Sequence, residues 1–315
     1  TIKRFASKLM NRSGQLYILS ILFVVVMIMV ATYEKAIDIS IDSQFLPVSS
    51  SFFSEKPIRY FGVVSRYSPR EIYEGYQPIM DYLSQNTSFY FELKLCDSYL
   101  GTATQLGEGD VSVAALGSLI YISKKNTLAL DVILQPLNKS GKSTNRIMFV
   151  TQNNMELNSL EDLRGKRIVL PSKESLTGHW APIYIQEKTG LVQDDFEIVH
   201  YASHHTTVAE LVLQNKFDVG VIKEPVAEMA KEKGLKVFHI APPLPTSPIV
   251  ISSKTDLQLK DEIIAAFTSI DVNQSGMIKI LENWDEEFSH GFQKAIDEDY
   301  NITISVLNAI KKAQN

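Results

Sequence analysis

Directly after the apolar run "KRIVL" the chain reads "PSKESLTGHWAP", residues 171–182, and places Ser175, Thr177 and Gly178 where a strand gives way to a helix. The first turn of a helix presents amides that no preceding carbonyl can accept, together with about half a positive charge from the helix dipole. Two chemistries fit hydroxyls at such a junction. A single hydroxyl can cap the helix by accepting one amide proton. Alternatively, hydroxyls and amides together can hold an anion, with Gly178 letting backbone and ligand approach closely. His204 and His205 precede Thr206 at a second junction of the same kind. Two helix starts could thus converge on one anion. Tyr99, Ser118 and Tyr121 follow the ends of other apolar runs, the position at which open α/β sheets bind ligands.

Other chemistries find less support. The six histidines show no metal-ligand spacing, so no zinc site is expected. "DVNQSGMIKILE", residues 271–282, matches the letters of a calcium loop. It offers only two carboxylates, however, and has Lys279 at its ninth position, which disfavours a divalent cation. There is no nucleophile elbow, phosphate-binding P-loop or dinucleotide fingerprint. Glu286 and Glu287 read as a solvated helix face. No enzyme, metal or cofactor is expected. The single cysteine, Cys96, excludes an intrachain disulfide.

Stepping outward from these residues, apolar strand-like runs alternate with helical patterns. "IRYFGVV", "YFELKLC", "VSVAAL", "LDVILQPLN", "RIMFVTQ", "KRIVL", "FEIVHY" and "FDVGVI" read as strands. Ile72, Tyr76, Ile79 and Leu83 have helical spacing, and Gly190 is placed as the C-cap of the helix that opens at Ser175. Such alternation predicts an α/β fold with parallel sheets. The runs divide near Gln152 and again near Pro245. This predicts two lobes: 57–152 together with the returning segment 246–315, and 153–245, joined by two crossing strands that act as a hinge.

Residues 13–33 carry no charge, and at 1.5 Å per residue a helix of that length spans a bilayer core. Lys3, Arg4, Lys8 and Arg12 precede it, which predicts a basic cytoplasmic N-terminus (1–12) and an extracytoplasmic main domain on a single-pass anchor in the cytoplasmic membrane. A cleaved signal peptide is the rival reading; no A-x-A site supports it. A Ser- and Asp-containing tether, 34–56, follows. The formal net charge is −5, and residues 1–33 hold four basic and no acidic residues, so the remainder carries −5 − 4 = −9. A domain this acidic lacks the electrostatic drive for nucleic acid.

"FGVVSRYSPREIYEGYQPIMDYLSQ", "CDSYLGTATQLGEGDVSVAALGSLIYI", "SLEDLRGKRIVLPSKESLTGHWAP", "SHHTTVAELVLQNKFDVGVI" and "GFQKAIDEDY" resemble the phosphonate-binding protein family. These are the periplasmic solute-binding components of phosphate, phosphite and phosphonate ABC transporters. The resemblance runs from about Pro57 to Ile310. It implies a type II periplasmic-binding fold and a small oxyanion held by a Ser-Thr-Ser-Gly-like turn, here Ser175-Leu176-Thr177-Gly178, with leucine in place of the middle hydroxyl. It also implies roles for Tyr99 and His205. An aromatic residue before the hinge strand is replaced by Asn145, and the acidic position after the strand "FDVGVI" is Lys223, with Glu224 next to it. The ligand-binding set expected is therefore Tyr99, Ser118, Tyr121, Ser175, Thr177, Gly178, His205 and Glu224. Two functions follow: anchored capture of the oxyanion for a membrane partner such as a permease, or a sensory or accessory subunit of a membrane complex, a respiratory one included, that uses the same fold for protein contacts.

Overall fold

Alternating apolar runs and amphipathic segments fold as a computed structural model that describes Leu16, residues 19–27, Met29, residues 56–64 and residues 69–313. Residues 1–54 and 55–315 are separate units. In the first, the described residues are helical and exposed. Among all described residues no helix is long and apolar enough to cross a membrane. The expected 13–33 span and the tether fall in large part outside the described residues.

The second unit begins with β1 (Ile58–Val64), α1 (Pro69–Asn86), β2 (Tyr90–Cys96), α2 (Tyr99–Glu108), β3 (Val113–Ala115), α3 (Ser118–Leu128) and β4 (Leu130–Pro136). The chain then crosses to β5 (Thr144–Gln152), β6 (Arg167–Leu170), α4 (Leu176–Thr189), β7 (Ile198–Tyr201), α5 (His205–Leu213), β8 (Val219–Lys223), α6 (Glu224–Glu232) and β9 (Leu235–Pro245). It returns through β10 (Ile249–Ser252), α7 (Leu257–Thr268), α8 (Ser275–Leu281), β11 (Phe292–Lys294) and α9 (Asn301–Ala313). Two sheets result, ordered β11-β4-β10-β3-β1-β2 and β7-β6-β8-β5-β9. β1 is parallel to β2 and β3, and β6 is parallel to β7 and β8. β5 pairs antiparallel with both β8 and β9.

Each sheet is covered on both faces, which is why its strands read as near-continuous apolar runs. Phe61, Ile79, Phe267 and Phe288 fill one side of the six-stranded sheet, and Ala103, Leu106, Tyr121 and Tyr300 the other. Phe149, Leu163, Trp180 and Tyr184 back one face of the five-stranded sheet; Val150, Val208, Val212 and Ile222 back the other. Gly190 ends α4 with φ +75°, the left-handed conformation that its position predicts.

Two elements are not read from the sequence. "SLIYISKKNTL" forms α3, although its apolar residues run consecutively rather than at helical spacing; the helix buries the ring from Ser118 to Tyr121. "LKVFHIAPPLP" forms β9 despite three prolines. That strand sits at the edge of its sheet and pairs only with β5, so missing amide donors are tolerated there.

The start of β6 is fixed by charge. Asp218 accepts from Arg167 N (2.8 Å) and Arg167 Nη2 (2.6 Å), and both side chains are part-buried. Burial raises the Asp218 pKa, but the Arg167 bonds outweigh it and the net shift is downward. A depressed carboxylate contributes stability above its unfolded pKa, about 4, and loses it as pH falls through the folded value. Asp218→Ala is expected to cost about 1.5–3 kcal/mol at neutral pH, the range for hydrogen bonds to charged groups. The gap to wild type should narrow on acidification below about pH 4, read by denaturant melts across pH.

Candidate functional site

Each sheet sends helices out of the C-terminal ends of its parallel strands, and five of those junctions meet at one cleft. Its lining includes Tyr99, the first residue of α2, Ser118, the first of α3, and Leu176, the first of α4. His205, the first residue of α5, and Lys223, the N-cap of α6, complete the set. The cleft encloses about 30 Å³. It draws on residues of both sheets' connections, with Asn145, Ile147, Leu244 and Pro245 of the crossing strands β5 and β9 forming one wall.

Backbone ends are not treated alike. Ser98 caps α2 by accepting from Gly101 N at 2.9 Å, and Glu174 Oε2 accepts from Tyr99 N at 3.2 Å. Ser175 caps α4: its hydroxyl accepts from Gly178 N at 3.0 Å and donates to Ser172 O at 2.8 Å. α6 has Glu224 and Pro225 in its first turn. By contrast α3 and α5 have no side-chain cap, and neither has an acidic residue in its first turn. Their amides and partial positive charge face the cleft without an internal anion.

Three side chains stand out by what they lack. Ser118, Asn145 and Thr177 retain 4%, 5% and 2% of their exposure and line the cleft. None has a side-chain hydrogen-bond partner among the described residues. Three polar side chains uncommitted to the rest of the protein thus share one small cavity. His205, also buried, accepts from Lys223 N through Nδ1 at 3.4 Å. With Nδ1 accepting, Nε2 is the ring nitrogen placed to donate.

Of the residues expected from sequence, Tyr99, Ser118, Ser175, Thr177 and His205 line the cleft together. Three do not. Tyr121 is buried in the core, where its hydroxyl donates to Asp297 and accepts from Val132 N; burial, then the Asp297 bond, push its pKa up. Glu224 turns to Arg146, whose bond holds its carboxyl below the usual range. Gly178 serves packing instead of ligand approach. A Cβ there would lie 2.2 Å from Ser172 O and 2.5 Å from Pro171 O, so the turn closes on itself only with glycine.

Sequence reasoning missed Asn145, Lys223, Ser247 and Glu287. Lys223 ends an apolar strand immediately before a Glu-Pro helix start, the same junction pattern that flagged Ser175, and could have been found that way. Glu287, read as solvated, is buried: its Oε1 accepts from Lys223 Nζ (2.9 Å), Ser247 Oγ (2.7 Å) and Ser247 N (3.2 Å). A second cavity of about 350 Å³ adjoins the cleft at Asn145. Its principal charges are already paired with one another, Arg146 with Glu224 and Lys139 and His290 with Glu286, so the smaller cleft is the better candidate.

Residues 61–300 match the family described as ABC transporter, phosphonate, periplasmic substrate-binding protein. The chain belongs to the phosphonate-binding family. Its fold is shared with a binding protein component of an ABC phosphonate transporter from Pseudomonas aeruginosa (TM-score 0.71, 18% identity, covering 80% of this chain and 86% of that one). It is also shared with a Prochlorococcus marinus protein in complex with methylphosphonate (TM-score 0.71, 19% identity, 81% and 98% covered). The aliphatic sulphonate binding protein of Escherichia coli is similar at TM-score 0.58 and 11% identity, with 82% and 87% covered. This phosphonate-binding family member is thus a substrate-binding protein in class, with the two-sheet fold expected.

In this family member the turn at 171–178 separates structure from binding. Gly178→Ala is expected to destabilise by about 1–3 kcal/mol through overpacking against the Pro171 and Ser172 carbonyls. Ser175→Ala should cost about 1 kcal/mol through the lost cap. Chemical denaturation of the two variants checks both values.

Proposed function

We propose that the cleft captures a small oxyanion of the phosphate, phosphite or phosphonate class by closure of two lobes, 57–152 with 246–315 and 153–245, hinged on β4–β5 and β9–β10. The observation that carries this reading is the convergence of the partnerless Ser118, Asn145 and Thr177 side chains with the uncapped starts of α3 and α5. Hydroxyl, amide and helix-start donors of this kind suit oxyanions. A cavity of about 30 Å³ has room for about two water-sized groups, so a tetrahedral oxyanion enters by opening the cleft. The ligand-binding set proposed is Tyr99, Ser118, Asn145, Thr177 and His205, with Ser175 shaping the turn. Membership in a periplasmic family favours an extracytoplasmic location, and residues 13–33 are proposed as the anchor. Delivery to a membrane permease is the corresponding role.

The second reading, an accessory or sensory subunit of a membrane complex, draws on two contacts that already join the cleft walls: Tyr99 N to Glu174, and Lys223 to Glu287. Calorimetry on the full chain with phosphate, phosphite and methylphosphonate separates the two. Capture requires binding of at least one; no heat of binding from any of them at millimolar concentration would remove the capture reading and leave the accessory one. Thr177→Ala is expected to weaken binding about ten- to a hundredfold, because a charge-assisted hydrogen bond contributes about 1.5–3 kcal/mol. Its unfolding free energy should stay within about 0.5 kcal/mol of wild type, since the hydroxyl makes no internal bond.

A further inference from the structure

Among the described residues that line the cleft, Lys223 is the only lysine, arginine or carboxylate. The lysine side chain is part-buried, its ammonium 2.9 Å from the buried Glu287 Oε1 and 3.4 Å from Ser247 Oγ. That carboxylate oxygen also takes both Ser247 donors, so three donors already converge on it. Lys223 comes from β8 of the five-stranded sheet, whereas Glu287 and Ser247 lie on the chain outside that sheet.

We infer that Lys223 fills, from within the chain, the place that a ligand's own ammonium group would need, so that the cleft selects oxyanions carrying no ammonium. This deepens the oxyanion reading above and rests on it. Glu287 is the buried carboxylate at this wall, and a cationic ligand would have to share it with Lys223. Two ammonium groups at one desolvated carboxylate repel each other strongly, because little water screens them. Displacing Lys223 instead would leave a part-buried ammonium without its counter-ion. Glu174, which reaches the rim at Tyr99 N, is exposed and cannot supply a second desolvated partner. An ammonium-free oxyanion meets none of these costs.

Methylphosphonate and aminomethylphosphonate differ by one ammonium group and serve as the probe pair. Calorimetry on the full chain is expected to show the first binding about tenfold or more tightly than the second, a difference of about 1.4 kcal/mol. Lys223→Ala removes the internal cation and exposes Glu287 to the cleft, so the preference should reverse. Lys223→Met keeps the volume without the charge and should bring the ratio toward one; it carries the measurement if the alanine variant does not fold. Equal binding of the two probes by wild type, tighter binding of aminomethylphosphonate, or a ratio unmoved in the variant tested overturns the selector role and leaves oxyanion capture standing. Binding of neither probe, nor of phosphate or phosphite, by wild type removes capture itself and the selector with it.

Discussion

Five helix starts around one small cavity set the central constraint of this molecule. Each contributes about half a positive charge and several amides with no helical acceptor. Parallel strands that each lead into a helix put those ends on the same side of the sheet, and two such sheets bring the ends face to face. The accumulated donors must be satisfied. The chain does so selectively: Ser98 with Glu174 at α2, Ser175 at α4, and Glu224 with Pro225 at α6. α3 and α5, one from each sheet, have neither a side-chain cap nor an acidic residue in the first turn. In the proposed capture, one ligand serves both of these ends only when the walls meet, so closure and anion binding would be the same event.

The Lys223–Glu287 pair belongs to the same logic. A buried ion pair is poor evidence for stability, since desolvating both groups offsets much of their attraction. Its position is more informative than its strength. It joins residues 223 and 287 across the cleft wall with Ser247 completing the carboxylate shell. If the walls separate, water reaches both ions and restores the hydration that closure removed. Such a contact gives up less on opening than an apolar seam of equal size would, because hydration compensates ions but not apolar surface. Polar wall contacts thus suit the opening and closing that the proposed capture requires.

Much of this architecture was legible in the residue pattern because it is local. Apolar runs alternating with helical spacing foretold most strands and helices, and Gly190 marked a helix end. β9 was hidden by its prolines, which an edge strand accepts, and α3 by an unpatterned apolar run whose burial is set by neighbouring elements. For the cleft, strand-to-helix junctions pointed to Tyr99, Ser118, Ser175, Thr177 and His205, which line one cavity together. The same reasoning misplaced Tyr121, one helical turn beyond Ser118, because that turn carries it away from the cleft edge and into the core beside Tyr300. Glu287 was beyond reach. Its partner is 64 positions away, and nothing in "DEEFSH" distinguishes a buried carboxylate from a solvated one.

The turn at 175–178 shows why capping and binding need not compete. Ser175 spends its hydroxyl on the helix, accepting from Gly178 N and donating to Ser172 O. Leu176 packs into the core of the five-stranded sheet beside Trp180, so the apolar residue in place of a middle hydroxyl anchors the turn while bounding the cleft. Gly178 allows the chain to fold back against Pro171 and Ser172. With position held by these three, Thr177 needs no internal bond, and its hydroxyl is kept at the cavity by a frame that does not depend on it. A donor fixed in place by its neighbours loses little freedom when a ligand arrives, and in the proposed capture that preorganisation would let a single hydroxyl matter for affinity.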